Sequence, residues 1–258
     1  MTTLKQHTAL VTGASSGIGM ACARKLAEAG ARTILVARRK SRIDELARQL
    51  TERFHTESLV VELDVRKRQE VLEKFNSLPA SWQSIDVLVN NAGLSRGLDK
   101  LHEGSIDDWE EMLDTNVKGL LYVTRAIVPG MVSRGRGMII NIGSIAGHEV
   151  YQKGNVYCAS KHAVDALTTG LRLDLVDTPL RVCTVDPGLV ETEFSEVRFR
   201  GDVQRAKQTY QHMTPLTPED IADAVLYCAT RPPHVQIAQL MILPTAQGST
   251  TLVHRAQN

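Results

Sequence analysis

A chain of 258 residues, 43% hydrophobic and 23% charged, has ordinary globular composition and length for one large α/β domain or two small ones. A formal net charge of +1 supplies no basis for a nucleic-acid or anionic-membrane partner. Four scattered cysteines (Cys22, Cys158, Cys183 and Cys228) lack C-x-x-C spacing, so buried thiols in a reducing compartment are expected rather than a metal site or disulfides. Residues 1–6 are polar, and no later stretch reaches about 18 uncharged apolar residues, which points to the cytosol.

Residues 7–12 predict a short buried strand, apolar and β-rich. Gly13, Gly17 and Gly19 follow in G-x-x-x-G-x-G spacing, and residues 20–29 carry a helical pattern closed by Gly30. Strand, glycine turn and helix together set backbone N–H groups and a helix N-terminus against a pyrophosphate. A glycine turn without a ligand is the plain alternative.

A second strand is expected over 32–37. NAD-binding folds tend to carry an acid roughly 20 residues past the glycine motif, on the ribose 2′-hydroxyl. Here the chain reads Ala37-Arg38-Arg39-Lys40. A guanidinium pairs with a 2′-phosphate that a carboxylate would repel, so this stretch predicts NADP(H) over NAD(H). The alternative is a solvated basic loop ahead of a helix over 41–54. The third strand, 58–63, ends at Asp64-Val65. Asp64 is a candidate acceptor for an adenine amino group and, equally, the N-cap of a helix over 66–77.

The fourth strand, 85–89, runs into Asn90-Asn91-Ala92-Gly93. That is a tight polar turn at the edge where open sheets bind ligands, or a plain turn. A long helical pattern spans 107–134 with Asn116 in its middle. Asn is a poor interior helix residue, so a buried one bonds something specific, be it a functional partner or a neighbouring backbone group. Strand five, 138–142, leads to Gly143-Ser144, a loop at 145–154 and a helix from 155 to about 176. On that helix Tyr157 and Lys161 share a face, four residues apart. A neighbouring ammonium favours phenolate, so the pair predicts a phenol whose pKa falls from about 10. Alone, Y-x-x-x-K occurs on any exposed helix.

Strand six, 180–185, ends in Asp186-Pro187-Gly188. The polar, mixed segment 189–213, with Phe194, Phe199 and Tyr210, is a candidate substrate lid. Thr217-Pro218-Glu219-Asp220 starts a helix to about 230, and 239–243 suggests a seventh strand. Alternating strands and helices without a linker predict one α/β domain over 1–258. It would be a Rossmann-type, doubly wound parallel seven-stranded sheet with helices on both faces.

Thr12-Gly13-x-x-x-Gly17-Ile18-Gly19, Asn90-Asn91-Ala92-Gly93, Asn116, Ser144, Tyr157-x-x-x-Lys161 and Pro187-Gly188 resemble the short-chain dehydrogenase/reductase family in order and spacing, over essentially the whole chain. Ser144 precedes Tyr157 by thirteen residues, as is usual there. Arg38-Arg39, 154–157, 188–194, 217–222, 231–235 and 243–245 look most similar to its NADP-dependent 3-hydroxy acid dehydrogenases, which act on serine, allo-threonine and related short acids.

The resemblance implies a catalytic tetrad. Tyr157 would be the general acid/base. Lys161 would lower the phenol pKa and bond the nicotinamide ribose. Ser144, with Tyr157, would hold the substrate oxygen, and Asn116 would hold a water linking Lys161 to solvent. It implies NADP(H) contacts from Gly13, Ser15, Ser16, Gly17, Ile18 and Gly19, then from Arg38, Arg39, Asp64 and Val65. Further contacts would come from Asn91, Ala92 and Gly93, from Tyr157 and Lys161, and from Pro187, Gly188, Val190 and Thr192. It implies a small-molecule hydroxy acid or carbonyl substrate, no metal, and a homotetramer or homodimer through the two long helices. A carboxylate anchor could be Arg96, Lys153, Arg198 or Gln152, among which the sequence does not choose. A carbonyl reductase for ketones, aldehydes or steroid-like substrates is a second reading, and a catalytically inactive nucleotide sensor a third.

Overall fold

Every residue of Thr8–Thr12 (β1) and of Met138–Ile142 (β5) is buried. Unbroken buried runs of that kind, mostly apolar, belong to parallel strands covered on both faces. The computed structural model, which describes residues 3–256, places them in a seven-stranded, wholly parallel sheet. The other strands are Arg32–Ala37 (β2), Ser58–Glu62 (β3), Val87–Asn90 (β4), Arg181–Pro187 (β6) and Gln239–Ile242 (β7). Their order, β3-β2-β1-β4-β5-β6-β7, reverses direction between β1 and β4. At such a switch point the loops leaving the two strands diverge and open a crevice at their carboxyl ends.

Two helical layers cover the sheet. On one face, α1 (Gly17–Glu28), α2 (Lys40–Phe54) and α9 (Pro218–Ala229) pack Leu26, Leu46, Leu50, Ile221 and Val225 against Val11, Leu35 and Ile140. On the other, α3 (Arg68–Asn76), α5 (Leu120–Arg134) and α6 (Asn155–Asp174) pack against Leu10, Ile34, Leu88 and Ile139. The predicted helix 107–134 is a helical run in three parts: α4 (Ile106–Leu113), a π turn (Asp114–Gly119), then α5. The wider turn sits where Asn116 turns its side chain to the neighbouring loop instead of to solvent, and Gly119 packs with no room for a Cβ beside Val65. Segment 189–213 contains two short helices, α7 (Phe194–Arg198) and α8 (Val203–Gln208). The third helix begins later than expected, at Arg68 with Lys67 at its N-cap, so Asp64 does not cap it. No helix among the described residues is long and apolar enough to cross a membrane.

A chain of buried amides fixes α6 across the sheet. Asn90 at the end of β4 donates to Asn141 of β5 at 2.9 Å, and Asn141 donates to Thr168 of α6 at 2.8 Å. Asn141→Leu leaves its neighbours short of a partner in a dry interior, so we expect a loss of about 1–3 kcal/mol in urea unfolding.

Candidate active site

The glycine turn after β1 is shaped by two left-handed residues, Gly13 (φ +69°) and Gly17 (φ +51°). Residues with a Cβ are strained in that conformation. Ser16 occupies the N-cap of α1 without capping it by its side chain, and the first turn holds no acid. The amides and the positive dipole end there suit an anion. Thr12 ties this turn to the next one: its Oγ accepts from the backbone N–H of Asn91 and of Ala92, both at 3.0 Å. Asn91 returns a bond from its side-chain amide to the Thr12 carbonyl at 2.9 Å.

Together these turns wall a cavity of about 460 Å³ along the carboxyl ends of the strands. Every cofactor candidate named from the sequence borders it except Gly19. A Cβ on Gly19 would lie 2.3 Å from the Asn91 amide nitrogen and 2.4 Å from the Gly13 carbonyl, so this glycine is needed for packing beneath the turn. Asp64 lines the cavity, but its carboxylate is held by the Arg66 guanidinium at 2.6 Å and by the Arg66 N–H at 3.1 Å. Burial raises its pKa, and the bonds to Arg66 outweigh that and keep it below the usual carboxylate range.

The three cations after β2 separate. Lys40 turns away to Asp44 at 2.7 Å, while Arg38 is exposed beside the cavity. Arg39 reaches back over the glycine turn, donating from Nε and one terminal nitrogen to Ser15 at 3.1 and 3.0 Å and to Ser16 at 2.6 Å. A guanidinium fork backed by two hydroxyls is chemistry that fits a phosphate.

At the other end lie Ser144, Tyr157 and Lys161. Ser144 caps the short turn Ile145–Gly147 by accepting from the Ala146 N–H at 3.1 Å. Lys161 is buried on α6 and donates to the Ile142 carbonyl at 2.9 Å. Its nitrogen is 6.0 Å from the centroid of the Tyr157 ring. Asn116 does not border the cavity. It is 2% exposed, accepts from the Leu94 N–H at 2.8 Å, and donates to the Leu94 carbonyl and to Ser160 on α6, each at 2.9 Å. The backbone partner left open by the sequence is therefore observed, and through Ser160 the residue also braces α6.

The lowered phenol pKa is corrected. Burial raises the Tyr157 pKa, the neighbouring Tyr151 adds to the rise, and Arg198 and Ser144 pull it down; Lys161 is not among the causes. The lysine at 6.0 Å carries its own desolvation penalty, which lowers its pKa to about 8 against a favourable pull from Asp186.

The four candidate carboxylate anchors differ in where the structure places them. Arg198 enters the cavity from α7, 5.2 Å from the Tyr157 ring centroid, held by Ser95 at 2.9 Å and the Tyr151 hydroxyl at 2.6 Å. Arg96 is taken up by Glu111 at 2.6 Å and by the Val197 carbonyl. Lys153 and Gln152 are exposed and lie outside this cavity. Sequence reasoning missed Tyr151 and Glu193, both at the cavity wall. Gly154 was the available signal for Tyr151, since a Cβ there would lie 2.2 Å from the tyrosine ring. Among the described residues no group of His, Cys, Asp and Glu is arranged to hold a metal.

A parallel sheet with a phosphate-suited turn at its switch point and a tyrosine–lysine pair across the crevice is the framework of a dinucleotide-dependent oxidoreductase. The short chain dehydrogenase family model matches residues 7–202, and the chain belongs to that family. It is 50% identical over 249 residues to the NADP-dependent 3-hydroxy acid dehydrogenase YdfG of Salmonella typhi, covering 96% of this chain and 99% of that one. It is 45% identical to the NADP-dependent 3-hydroxy acid dehydrogenase of Schizosaccharomyces pombe, covering 100% of both. Among solved structures, the closed form of serine dehydrogenase complexed with NADP+ superposes with a TM-score of 0.90 at 46% identity, covering 97% of this chain and 100% of that one.

Burial of Lys161 has a pH signature. A lysine whose folded pKa falls from 10.5 to about 8 favours the native state fully above 10.5 and loses that contribution as pH falls through 8. Relative to Lys161→Met, wild-type stability should rise with pH above about 8 in urea unfolding series. A flat difference would mean an ordinary lysine.

Proposed function

We propose that the protein is an NADP(H)-dependent oxidoreductase that interconverts a short 3-hydroxy acid, such as serine, allo-threonine or 3-hydroxyisobutyrate, and its 3-oxo counterpart. The observation that carries this reading is Arg198: a guanidinium 5.2 Å from the catalytic tyrosine ring supports an acidic substrate. The names of the relatives agree with it.

Gly13, Ser16, Gly17 and Ile18 would hold the pyrophosphate, Arg38 and Arg39 the 2′-phosphate, and Pro187, Gly188, Val190 and Thr192 the nicotinamide end. NADP(H), when bound, supplies or accepts the hydride. Tyr157 removes the substrate hydroxyl proton in oxidation and returns it in reduction. With burial holding its pKa up, it is a protonated donor at neutral pH and needs a nearby positive charge to act as base. Lys161 and Arg198 are the cations available for that. Ser144 steadies the substrate oxygen as charge develops on it. Arg198 fixes the carboxylate and so aims the hydroxyl-bearing carbon at Tyr157. Asn116 holds α6 in place through Ser160 and is not required to contact substrate.

The long helices remain our proposed association surface. Leu113 and Leu121 are exposed near the π turn, and Leu173 and Val176 at the end of α6, which suits burial against a second copy.

Tyr157→Phe should lower kcat by ~10²–10⁴-fold while NADPH titration stays intact. Arg198→Gln should raise KM for serine or 3-hydroxyisobutyrate by roughly 10–100-fold and leave apolar ketones unaffected. Turnover of apolar ketones with no hydroxy acid activity in the wild type would replace this reading with a general carbonyl reductase. Retention of more than about a tenth of wild-type kcat in Tyr157→Phe would remove the tyrosine from the mechanism.

A further inference from the structure

Glu193 borders the cavity and reaches across to the arginines that follow β2. Its neighbour Thr192 packs 3.3 Å from where a Gly17 Cβ would lie, against the phosphate-suited turn. Its other neighbour, Phe194, meets the Tyr157 ring edge-on with centroids 5.6 Å apart. The Glu193 carboxylate bridges two arginines. One oxygen accepts from Arg39 at 2.9 Å, the other from Arg42 at 2.6 Å. Arg39 uses a single terminal nitrogen for this contact. Its Nε and other terminal nitrogen, the edge that forks a phosphate, stay turned to the hydroxyls of Ser15 and Ser16. Those hydroxyls accept from Arg39 and keep their own protons to donate. The acidic residue therefore takes the terminal nitrogen that the serine hydroxyls leave, and the other edge stays with Ser15 and Ser16 at the cavity wall.

The geometry points to Glu193 as a positioning residue that holds Arg39 for the cofactor's 2′-phosphate and ties the lid to it, so that preference for NADP(H) is expressed in turnover as well as in binding. The inference rests on the NADP(H) reading above. Two effects of the carboxylate oppose each other. Its charge repels a phosphate through space, and its hydrogen bonds orient the arginine. With Glu193 and Arg39 side chains 39% and 42% exposed, water and salt screen the first, while the second acts at contact distance. Burial opposes ionisation of Glu193, and the bonds to Arg39 and Arg42 overcome it and hold the carboxyl below its usual range, so it is charged at neutral pH.

The test compares Glu193→Gln, Arg42→Gln and the double variant with wild type. Calorimetry measures binding of 2′,5′-ADP and 5′-AMP, and steady-state assays measure kcat and KM with NADP+ and NAD+. In Glu193→Gln, affinity for 2′,5′-ADP should fall roughly three- to tenfold with 5′-AMP unchanged, as befits a half-exposed ion-pair support. Both kcat and kcat/KM should fall with NADP+ and hold with NAD+. The double variant should be no weaker than Glu193→Gln, because Arg42 acts only through the carboxylate. Equal losses with both cofactors would make Glu193 a plain support of the lid, and tighter 2′,5′-ADP binding would make it a competitor. Either result, or no change, overturns the inference. A wild-type protein that binds 2′,5′-ADP no more tightly than 5′-AMP overturns the NADP(H) reading itself, and this inference with it.

Discussion

A buried ammonium is the constraint to which the site is built. Lys161 is 7% exposed, and an ion out of water needs compensation close by. The Ile142 carbonyl at the end of β5 gives one hydrogen bond, and the Asp186 carboxylate in β6 favours the charged form. Asp186 is itself 1% exposed, so it too must be satisfied. His148 lies 3.0 Å from it, and Thr184 and Gln239 donate to it at 3.1 and 2.8 Å. Three neighbouring strands, a short turn and α6 therefore meet around one charge. Gly143 makes the meeting possible, since a Cβ there would fall 1.9 Å from an Asp186 oxygen.

Segment 189–213 borders both ends of the cavity. Arg198 stands over Tyr157, and Glu193 pairs with Arg39 beside the glycine turn. Between them Tyr210 donates to the Val190 carbonyl at 2.9 Å and pairs with Ser195 at 2.7 Å, closing the segment on itself. The C-terminal tail adds a strap, with Arg255 donating to the Thr209 carbonyl at 2.9 Å and Ala256 to the His212 carbonyl at the same distance.

The parallel sheet, its seven strands and the helices on both faces were legible because buried parallel strands need unbroken apolar runs and helices need periodic ones. The glycine turn was legible for a similar reason, as a local geometry that only certain residues fill, while the Tyr157–Lys161 spacing gained meaning only from the motifs around it. The structure departed from local signals in three places, where they meet longer-range forces. Of the two readings open for Asp64 the helix cap is not observed: it pairs with Arg66, and the helix starts four residues beyond it, at Arg68. The helix around Asn116 widens into a π turn because the asparagine bonds Leu94, 22 residues earlier in the chain. The phenol pKa follows burial more than the neighbouring lysine, and burial is a property of the packed cavity.

By itself the sequence determined the fold class and the phosphate-suited turn, since these depend on residue type and spacing within single elements, whereas Ser144, Tyr157 and Lys161 were singled out by the family resemblance. Tertiary structure alone decided which cation faces the tyrosine and what supports the arginine at the phosphate end. Arg198 is held by Ser95 across 103 residues, and Arg39 by Glu193 across 154. A one-dimensional pattern carries no information on such pairs, because their encounter depends on how the packed elements bring separate loops to one edge of the sheet.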